Sequence, residues 1–328
     1  MKKIIALLVV SCFLIGCGKI GQDQRISTSE SYSVTDAQGK TVEMIKKPER
    51  ILTLAMTTDI IILGMLPPER LVAVDTLLDD PTNSTVVELA KQIPEKLSDQ
   101  STERIVSLKP DLVIASPWTS PEQVDMLRDL GLKVIVCNGG NSISEVEVNI
   151  DLIAKAIGEP AKGQKMIAIM EEKLQEIKEK VAEVSKEYPR KTTVLLSLMN
   201  NYGGIGSAFD SMCKLAGVTN GLAMLGIQNG QSLTKEMLVK INPDFLLMPS
   251  YNDHGKVDTD KFIREYIDDP ALQTMTAIEQ KNFYKPREFY IYNSSQDIVF
   301  GVQEIALAAY GATFAQPDNC HISVIDYK

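Results

Sequence analysis

One long amphipathic stretch, residues 161–187, lies between two segments that share the same alternation of short apolar runs and helical patterns. Its apolar residues recur every three or four positions, as expected for one buried face of an α-helix. That face carries Met166, Ile169, Met170, Leu174, Ile177 and Val181. At 1.5 Å per residue such a helix spans about 40 Å. The repeated pattern on either side favours a strut between two lobes over a crossover helix inside one large domain.

Short apolar strands alternate with helices in both halves, which indicates mainly parallel sheets covered on both faces. Besides a hairpin at 32–42, we predict strands at 51–56, 71–74, 112–115, 134–136, 193–198, 245–248 and 289–292, and helices at 58–66, 102–109, 122–130, 208–216, 235–241, 261–266 and 297–310. The expected fold class is α/β, with two lobes joined by a single long rigid helix. The N-terminal lobe is expected at 31–160, the linking helix at 161–187, and the C-terminal lobe with its tail at 188–328.

The N-terminus has the pattern of an export signal. Lys2 and Lys3 precede an apolar run, residues 4–15, which is too short to cross a bilayer about 30 Å thick as a stable helix. The run ends Leu-Ile-Gly-Cys at Cys17, which resembles a bacterial lipobox. We therefore expect a signal peptide at 1–16, lipidation of Cys17, and a polar flexible tether at 17–30 that leaves the protein anchored on the extracytoplasmic face of a membrane.

The net charge and the counts of histidine and cysteine argue against several classes of function and site. The chain carries a formal net charge of −9, which disfavours nucleic acid as a partner and leaves membrane retention to the lipid. Its only two histidines, His254 and His321, are too few for a bare transition-metal site built on several imidazoles. Cys213 and Cys320 could pair if the C-terminal tail folds back, but the cysteines form no disulfide framework.

Short motifs in both halves resemble one known family. They are VTDAQGKTV at 34–42, PERI at 48–51, ERIVSLKPDLVI at 103–114, IGEP at 157–160, LAGVTN at 215–220, SLTKEML at 232–238 and NPDFLL at 242–247. Each motif is weak alone, but in this order and spacing they resemble the substrate-binding proteins of ABC importers for iron–siderophore, haem and cobalamin-type ligands. The resemblance covers residues from about 32 to 313.

The resemblance implies a monomeric receptor without an intrinsic cofactor. Such a receptor captures a metal chelate (a ferric siderophore, haem or corrinoid) between its lobes and delivers it to an ABC permease dimer with its ATPase subunits. Members of the family dock on the permease through an exposed carboxylate on each lobe. The candidates here are Glu88 in the N-terminal lobe and Asp210 in the C-terminal lobe.

The candidate ligand site lies in the loops that follow the strands, because the carboxyl ends of parallel strands meet at one edge of a sheet. Trp118, the only tryptophan, follows a proline on such a loop and could stack on a flat ligand. Tyr202 stands beside two glycines that permit close approach of a ligand. The full candidate set is Thr57, Thr58, Trp118, Thr119, Asn138, Asn200, Tyr202, Tyr251, Arg287, Tyr290 and Tyr292.

Two other functions stay open at the level of sequence. A bare-metal (zinc or manganese) binding lipoprotein would share a plan of two lobes and one helix, although the histidine count argues against it. A doubly wound enzyme would share the fold class. We expect no enzymatic activity, because the chain has no G-x-S-x-G elbow, no P-loop and no G-x-G-x-x-G turn between a strand and a helix.

Overall fold

The structure is a computed structural model, and it describes residues 31–199, 201–250 and 257–327. The signal peptide, the tether, Cys17, Asn200 and Tyr251 all lie outside these ranges. Within them the expected α/β class is confirmed: two parallel sheets are flanked by helices and connected by one long helix.

The N-terminal lobe contains an antiparallel hairpin and a sheet of five parallel strands in the order β5-β4-β3-β6-β7. Its strands are β1 (Tyr32–Thr35), β2 (Thr41–Met44), β3 (Ile51–Thr53), β4 (Leu71–Asp75), β5 (Lys96–Leu97), β6 (Leu112–Ala115) and β7 (Val134–Val136). Its helices are α1 (Met56–Leu63), α2 (Val87–Ala90), α3 (Thr102–Ser107), α4 (Pro121–Asp129) and α5 (Ile143–Ala156).

Helix α5 was not predicted, although it leaves two signals in the sequence. Ser142 caps its N-terminus by accepting a hydrogen bond from the Glu145 backbone at 3.2 Å, the first half of a capping box. Val146, Ile150 and Ile153 then follow at helical spacing and are fully buried. The capping residue and the spacing together would have identified this helix.

The linking helix α6 (Pro160–Val184) is 25 residues long and begins with proline at its first helical position, where no backbone N–H is needed. It buries Met166, Met170, Ile177 and Val181 of the predicted stripe, whereas Ile169 and Leu174 are partly buried. It packs on α5 so closely that a Cβ atom at Gly163 would lie 2.4 Å from the Cβ of Ala154.

The C-terminal lobe has four parallel strands in the order β11-β10-β8-β9. They are β8 (Thr192–Leu195), β9 (Thr219–Asn220), β10 (Phe245–Leu247) and β11 (Phe283–Tyr284). The helices are α7 (Ala208–Leu215), α8 (Gly221–Met224), α9 (Lys235–Ile241), α10 (Thr259–Ile267), α11 (Thr276–Glu279), α12 (Glu288–Ile291) and α13 (Ile298–Tyr310). Cys213 and Cys320 are free thiols, so the pairing that the sequence left open is not formed.

The predicted strand at 289–292 is wrong, because these residues belong to helix α12 and its C-cap, Tyr292. The strand of this region is β11, six residues earlier, which pairs with β10. A four-residue apolar run has too few positions to separate a strand from one helical turn.

The largest apolar core is shared by both lobes. It includes residues of α1 and α5 from the first lobe, of α6, and of α7 and α13 from the second. Two smaller cores lie on the other faces of the two sheets, one in each lobe. The lobes are therefore packed against a common centre rather than merely tethered by α6.

We predict that Gly163→Ala destabilises the protein although alanine is the better helix former. The propensity gain is about 1 kcal/mol, but a Cβ 2.4 Å from that of Ala154 must push α5 away from α6, and such overpacking costs about 1–3 kcal/mol. Thermal unfolding would show a lower midpoint than wild type. Lys165→Ala on the exposed face of α6 is the control and should leave the midpoint unchanged. A higher midpoint for Gly163→Ala would contradict the close packing of α6 on α5.

Candidate functional site

A pocket lies at the carboxyl edge of the N-terminal sheet. It has a volume of about 430 Å³ and is formed by the segments that follow β3, β4, β5 and β6. Its lining includes Thr57, Asp75, Gln100, Trp118, Thr119 and Gln123. The indole, hydroxyl and amide groups give it an aromatic surface together with hydrogen-bonding groups, and Asp75 adds a carboxylate that accepts a hydrogen bond from the Leu77 backbone at 2.9 Å.

Trp118 is the most exposed aromatic group of this pocket, with 65% of its surface accessible. Its loop is well defined on both sides: Ser116 and Thr119 share a hydrogen bond of 3.2 Å between their hydroxyl groups, and Ser120 caps α4 by accepting from the Gln123 backbone at 3.1 Å. The large indole is therefore held on an ordered loop and left exposed at the pocket.

Asp59 is a buried carboxyl group that bonds to the backbone of Asp75, one of the residues that line the pocket. Its two oxygens accept hydrogen bonds from the Thr53 hydroxyl at 2.6 Å and from the Asp75 backbone at 2.9 Å. Burial raises the pKa of Asp59 to about 8, although both hydrogen bonds oppose that shift. Asp59 thus fixes the end of β4 that lines the pocket. The predicted helix 58–66 includes Asp59 without a role for it, although an acid directly before the apolar run 60–63 is a signal.

Two tyrosines lie at the matching edge of the C-terminal sheet. The rings of Tyr202 and Tyr292 pack with centroids 5.1 Å apart. The Tyr292 hydroxyl donates to Ser197, just after β8, at 2.7 Å, and the Tyr202 hydroxyl donates to the Ile291 carbonyl at 3.3 Å. Burial raises the pKa of both phenols, so both stay neutral at physiological pH.

The loop after β7 contacts the other lobe directly. A Cβ atom at Gly140, whose φ is +67°, would lie 2.8 Å from the Cβ of Ser294. Nearby, the backbone of Asn138 is held by a pair of hydrogen bonds with the Asn149 side chain, at 2.8 and 3.1 Å. Asn138 therefore lies beside a point where the lobes touch, apart from the residues that line the Trp118 pocket.

Three predicted ligand contacts make their polar contacts within the protein. Thr58 is buried and its hydroxyl donates to the Ala55 carbonyl at 2.7 Å. Tyr290 is fully buried, with its hydroxyl donating to the Cys320 carbonyl at 2.9 Å. Arg287 is held by ion pairs to the buried Glu304 and to Asp318. The first two side chains are bonded within the core and the third within a network of ion pairs, which argues against these three assignments.

The two proposed docking carboxylates differ in exposure. The side chain of Glu88 is 83% exposed and lies 2.6 Å from Lys91. That of Asp210 is only 2% exposed and binds Lys214 at 2.6 Å and the Asn220 amide at 3.1 Å. A carboxylate closed off in this way has almost no surface to offer a partner protein, which argues against the assignment of Asp210.

Comparison with known proteins agrees with the fold. A sequence profile described as "Periplasmic binding protein" matches residues 52–288, most of the chain. The chain belongs to this family. The resemblance to ABC-importer substrate-binding proteins is thereby confirmed.

Some relatives align along almost the whole chain and others along part of it. The uncharacterized ABC transporter substrate-binding lipoprotein YvrC of Bacillus subtilis (strain 168) is 27% identical over 324 residues, covering 95% of this chain and 97% of the relative. The vitamin B12-binding protein of Vibrio campbellii is 31% identical over 136 residues, covering 40% and 46% of the two chains. The solved periplasmic heme-binding protein RhuT from Roseiflexus sp. RS-1, in its apo form, shares the fold with a TM-score of 0.68 and 23% identity, over 82% of this chain and 99% of that one.

Among the described residues, two kinds of feature are absent. No helix among them combines the length and apolar character needed to cross a membrane. Nor do residues 31–199, 201–250 and 257–327 bring three His, Cys, Asp or Glu side chains together in an arrangement that could hold a metal ion.

The raised pKa of Asp59 predicts a pH-dependent stability. Between the unfolded value near 3.8 and the folded value of about 8, the folded protein holds a proton that the unfolded chain has released. The stabilising contribution is full below pH 3.8 and is lost as the pH rises through 8, with a slope of at most about 1.4 kcal/mol per pH unit. Urea unfolding at pH 5, 6 and 7 should show wild type losing stability relative to Asp59→Asn.

The matched control for this experiment is Asp99→Asn, because Asp99 is an exposed acid whose pKa is lowered by hydrogen bonds from Ser101. Because this variant retains Asp59, its stability should decline in parallel with wild type, and the difference between wild type and Asp99→Asn should stay constant from pH 5 to 7. A difference between wild type and Asp59→Asn that does not vary with pH would contradict the assignment.

Proposed function

We propose that this protein is an extracytoplasmic, lipid-anchored receptor that captures a metal chelate between its lobes and delivers it to an ABC importer. The observation that carries the proposal is the exposed Trp118 above a polar pocket at the carboxyl edge of the N-terminal sheet. In open α/β sheets, ligands bind at this edge.

The ligand class follows from the chemistry of the pocket and from the relatives. A flat macrocycle or chelate offers a face that stacks on an indole. The hydroxyls of Thr57 and Thr119 and the amides of Gln100 and Gln123 supply hydrogen bonds to its rim. Part of the chain is also similar to vitamin B12-binding proteins. We propose a ferric siderophore, haem or corrinoid, with Tyr202 and Tyr292 contributing from the other lobe.

Delivery requires a permease partner and no chemical turnover. We propose that the receptor acts as a monomer, binds its ligand without transforming it, and meets an ABC permease dimer with its ATPase subunits. Glu88, exposed on α2, is the proposed docking carboxylate of the N-terminal lobe. A lipid anchor would confine the receptor to the membrane surface and raise its effective concentration beside the permease.

The absorbance spectrum of the protein as purified tests the ligand class. A Soret band would identify haem, a corrinoid spectrum cobalamin, and a broad visible charge-transfer band a ferric siderophore. Titration with hemin, cyanocobalamin and a ferric hydroxamate then gives affinities. Failure to bind any of them at micromolar concentration would overturn the metal-chelate assignment, and consumption of a bound compound would overturn the non-enzymatic one.

Trp118→Ala should weaken binding of the chelate by roughly fivefold to a hundredfold, because loss of a stacked aromatic surface costs about 1–3 kcal/mol. Visible-absorbance titration measures the affinity of both forms. In wild type, binding should also quench the fluorescence of this sole tryptophan. Tyr188→Ala, which removes another exposed aromatic side chain beyond α6, is the control and should leave affinity unchanged. Equal affinities for wild type and Trp118→Ala would remove Trp118 from the site.

Cys17→Ser should release the protein from membranes while leaving its ligand affinity unchanged, since Cys17 precedes the proposed tether. Fractionation of cells that express each form, followed by titration of the released protein, measures both properties. A Cys17→Ser form that still sediments with membranes would contradict lipid anchoring at this residue.

A further inference from the structure

The chain beyond α13 crosses from one lobe to the other. Residues 315–327, called the strap below, begin on the C-terminal lobe. There Gln303 donates to the Ala315 carbonyl at 3.3 Å, Arg287 donates to the Pro317 carbonyl at 2.8 Å, and Tyr290 donates to the Cys320 carbonyl at 2.9 Å. The first half of the strap is therefore attached to the lobe from which it emerges.

The second half of the strap is attached to the N-terminal lobe and the linking helix. The Val324 backbone donates to the Gly64 carbonyl, at the end of α1, at 2.7 Å. The Lys162 ammonium of α6 donates to the carbonyls of Met65 at 3.0 Å and Ile325 at 2.7 Å. The side chains of Ile322 and Val324 are buried in the core that both lobes share.

Around Gly64 of the N-terminal lobe, the C-terminal lobe, the linking helix and the strap all approach closely. A Cβ atom there would lie 2.6 Å from the Gln296 amide nitrogen, 2.7 Å from the Met166 methyl carbon and 2.9 Å from the Ile322 carbonyl oxygen. The Gln296 amide itself donates to the carbonyls of Ile60 at 3.0 Å and Ile322 at 3.2 Å. One side chain of the C-terminal lobe therefore bonds to both the N-terminal lobe and the strap.

The fully buried carboxylate of Asp297 lies where the strap crosses. One oxygen accepts from the Ile322 backbone at 2.9 Å. The other accepts from the Thr85 hydroxyl of the N-terminal lobe at 2.7 Å and lies 2.8 Å from Nδ1 of His321. Asp297 thus joins the C-terminal lobe, the N-terminal lobe and the strap at one point.

We propose that the strap is a second mechanical connection between the lobes, in addition to α6, and that the hydrogen bonds of Asp297 lock it in place. A single helix leaves one axis about which the lobes can turn, whereas a second attachment opposes that rotation. This inference concerns the motion of the empty receptor and holds whatever ligand it binds.

Asp297→Ala tests the proposal by hydrogen exchange of the full chain without ligand. The variant loses hydrogen bonds to a buried charge, so exchange should accelerate by roughly tenfold or more both in the strap at 322–327 and in the N-terminal lobe at 60–66. Small-angle scattering should show a larger radius of gyration. Acceleration in the strap alone, with α1 and the scattering curve unchanged, would overturn the proposal.

Two further variants keep the test decisive. Asp318→Ala is the matched control: its carboxylate also lies in the strap, but it is 91% exposed and pairs with Arg287 of the same lobe, so exchange at 60–66 should stay at the wild-type rate. Thr85→Val removes only the hydroxyl of the N-terminal lobe and retains the shape of the side chain. It should accelerate exchange at both 322–327 and 60–66, and it provides the test even if Asp297→Ala fails to fold. Exchange at the wild-type rate in both segments would contradict the proposed role of Asp297.

Discussion

A buried carboxylate at the junction of the lobes constrains the arrangement of the whole molecule. Burying the charge of Asp297 is unfavourable unless hydrogen bonds replace its lost hydration. Its partners come from the segment before α2 and from the C-terminal end of the chain, more than 200 positions apart in sequence. The carboxylate is satisfied only when both segments are in place, so this one residue couples the folding of the C-terminal end to the packing of the lobes.

The sequence predicted those elements whose limits are marked by local chemistry. The predicted bounds of α9, 235–241, agree with the structure because Thr234 caps its start and Asn242, with φ of +46°, ends it before Pro243. The hairpin is equally local, since Gly39 adopts the positive φ of +78° that its turn requires. Helix α12 differs because its four residues contain no such marker, and its Tyr290 is buried with a hydrogen bond to the strap, a contact that is distant in sequence.

The difference between local and distant contacts also explains which candidate site residues were placed correctly on the surface. Trp118 and Thr119 follow β6 directly, so the position of the strand was sufficient to place them in the pocket at its end. Arg287 and Tyr290 also lie near a strand end, but a segment about 30 residues later covers them. Asp210 is closed off by Asn220, on the strand that follows its helix. Contacts of this kind depend on tertiary packing, which a local pattern does not encode.

In the proposed function, the ligand would meet walls that are already ordered. The Trp118 loop is held by its own hydroxyl and capping bonds, and the opposite tyrosines are held by hydrogen bonds to Ser197 and the Ile291 carbonyl. The lobes also touch at Gly140 and Ser294 and share one core. A ligand that enters between such walls spends little binding free energy on ordering them, so affinity depends on how well its shape and rim groups match the existing surface. Selectivity then comes from rejecting ligands that leave the amides and hydroxyls of the pocket unpaired, rather than from closing the lobes around each one.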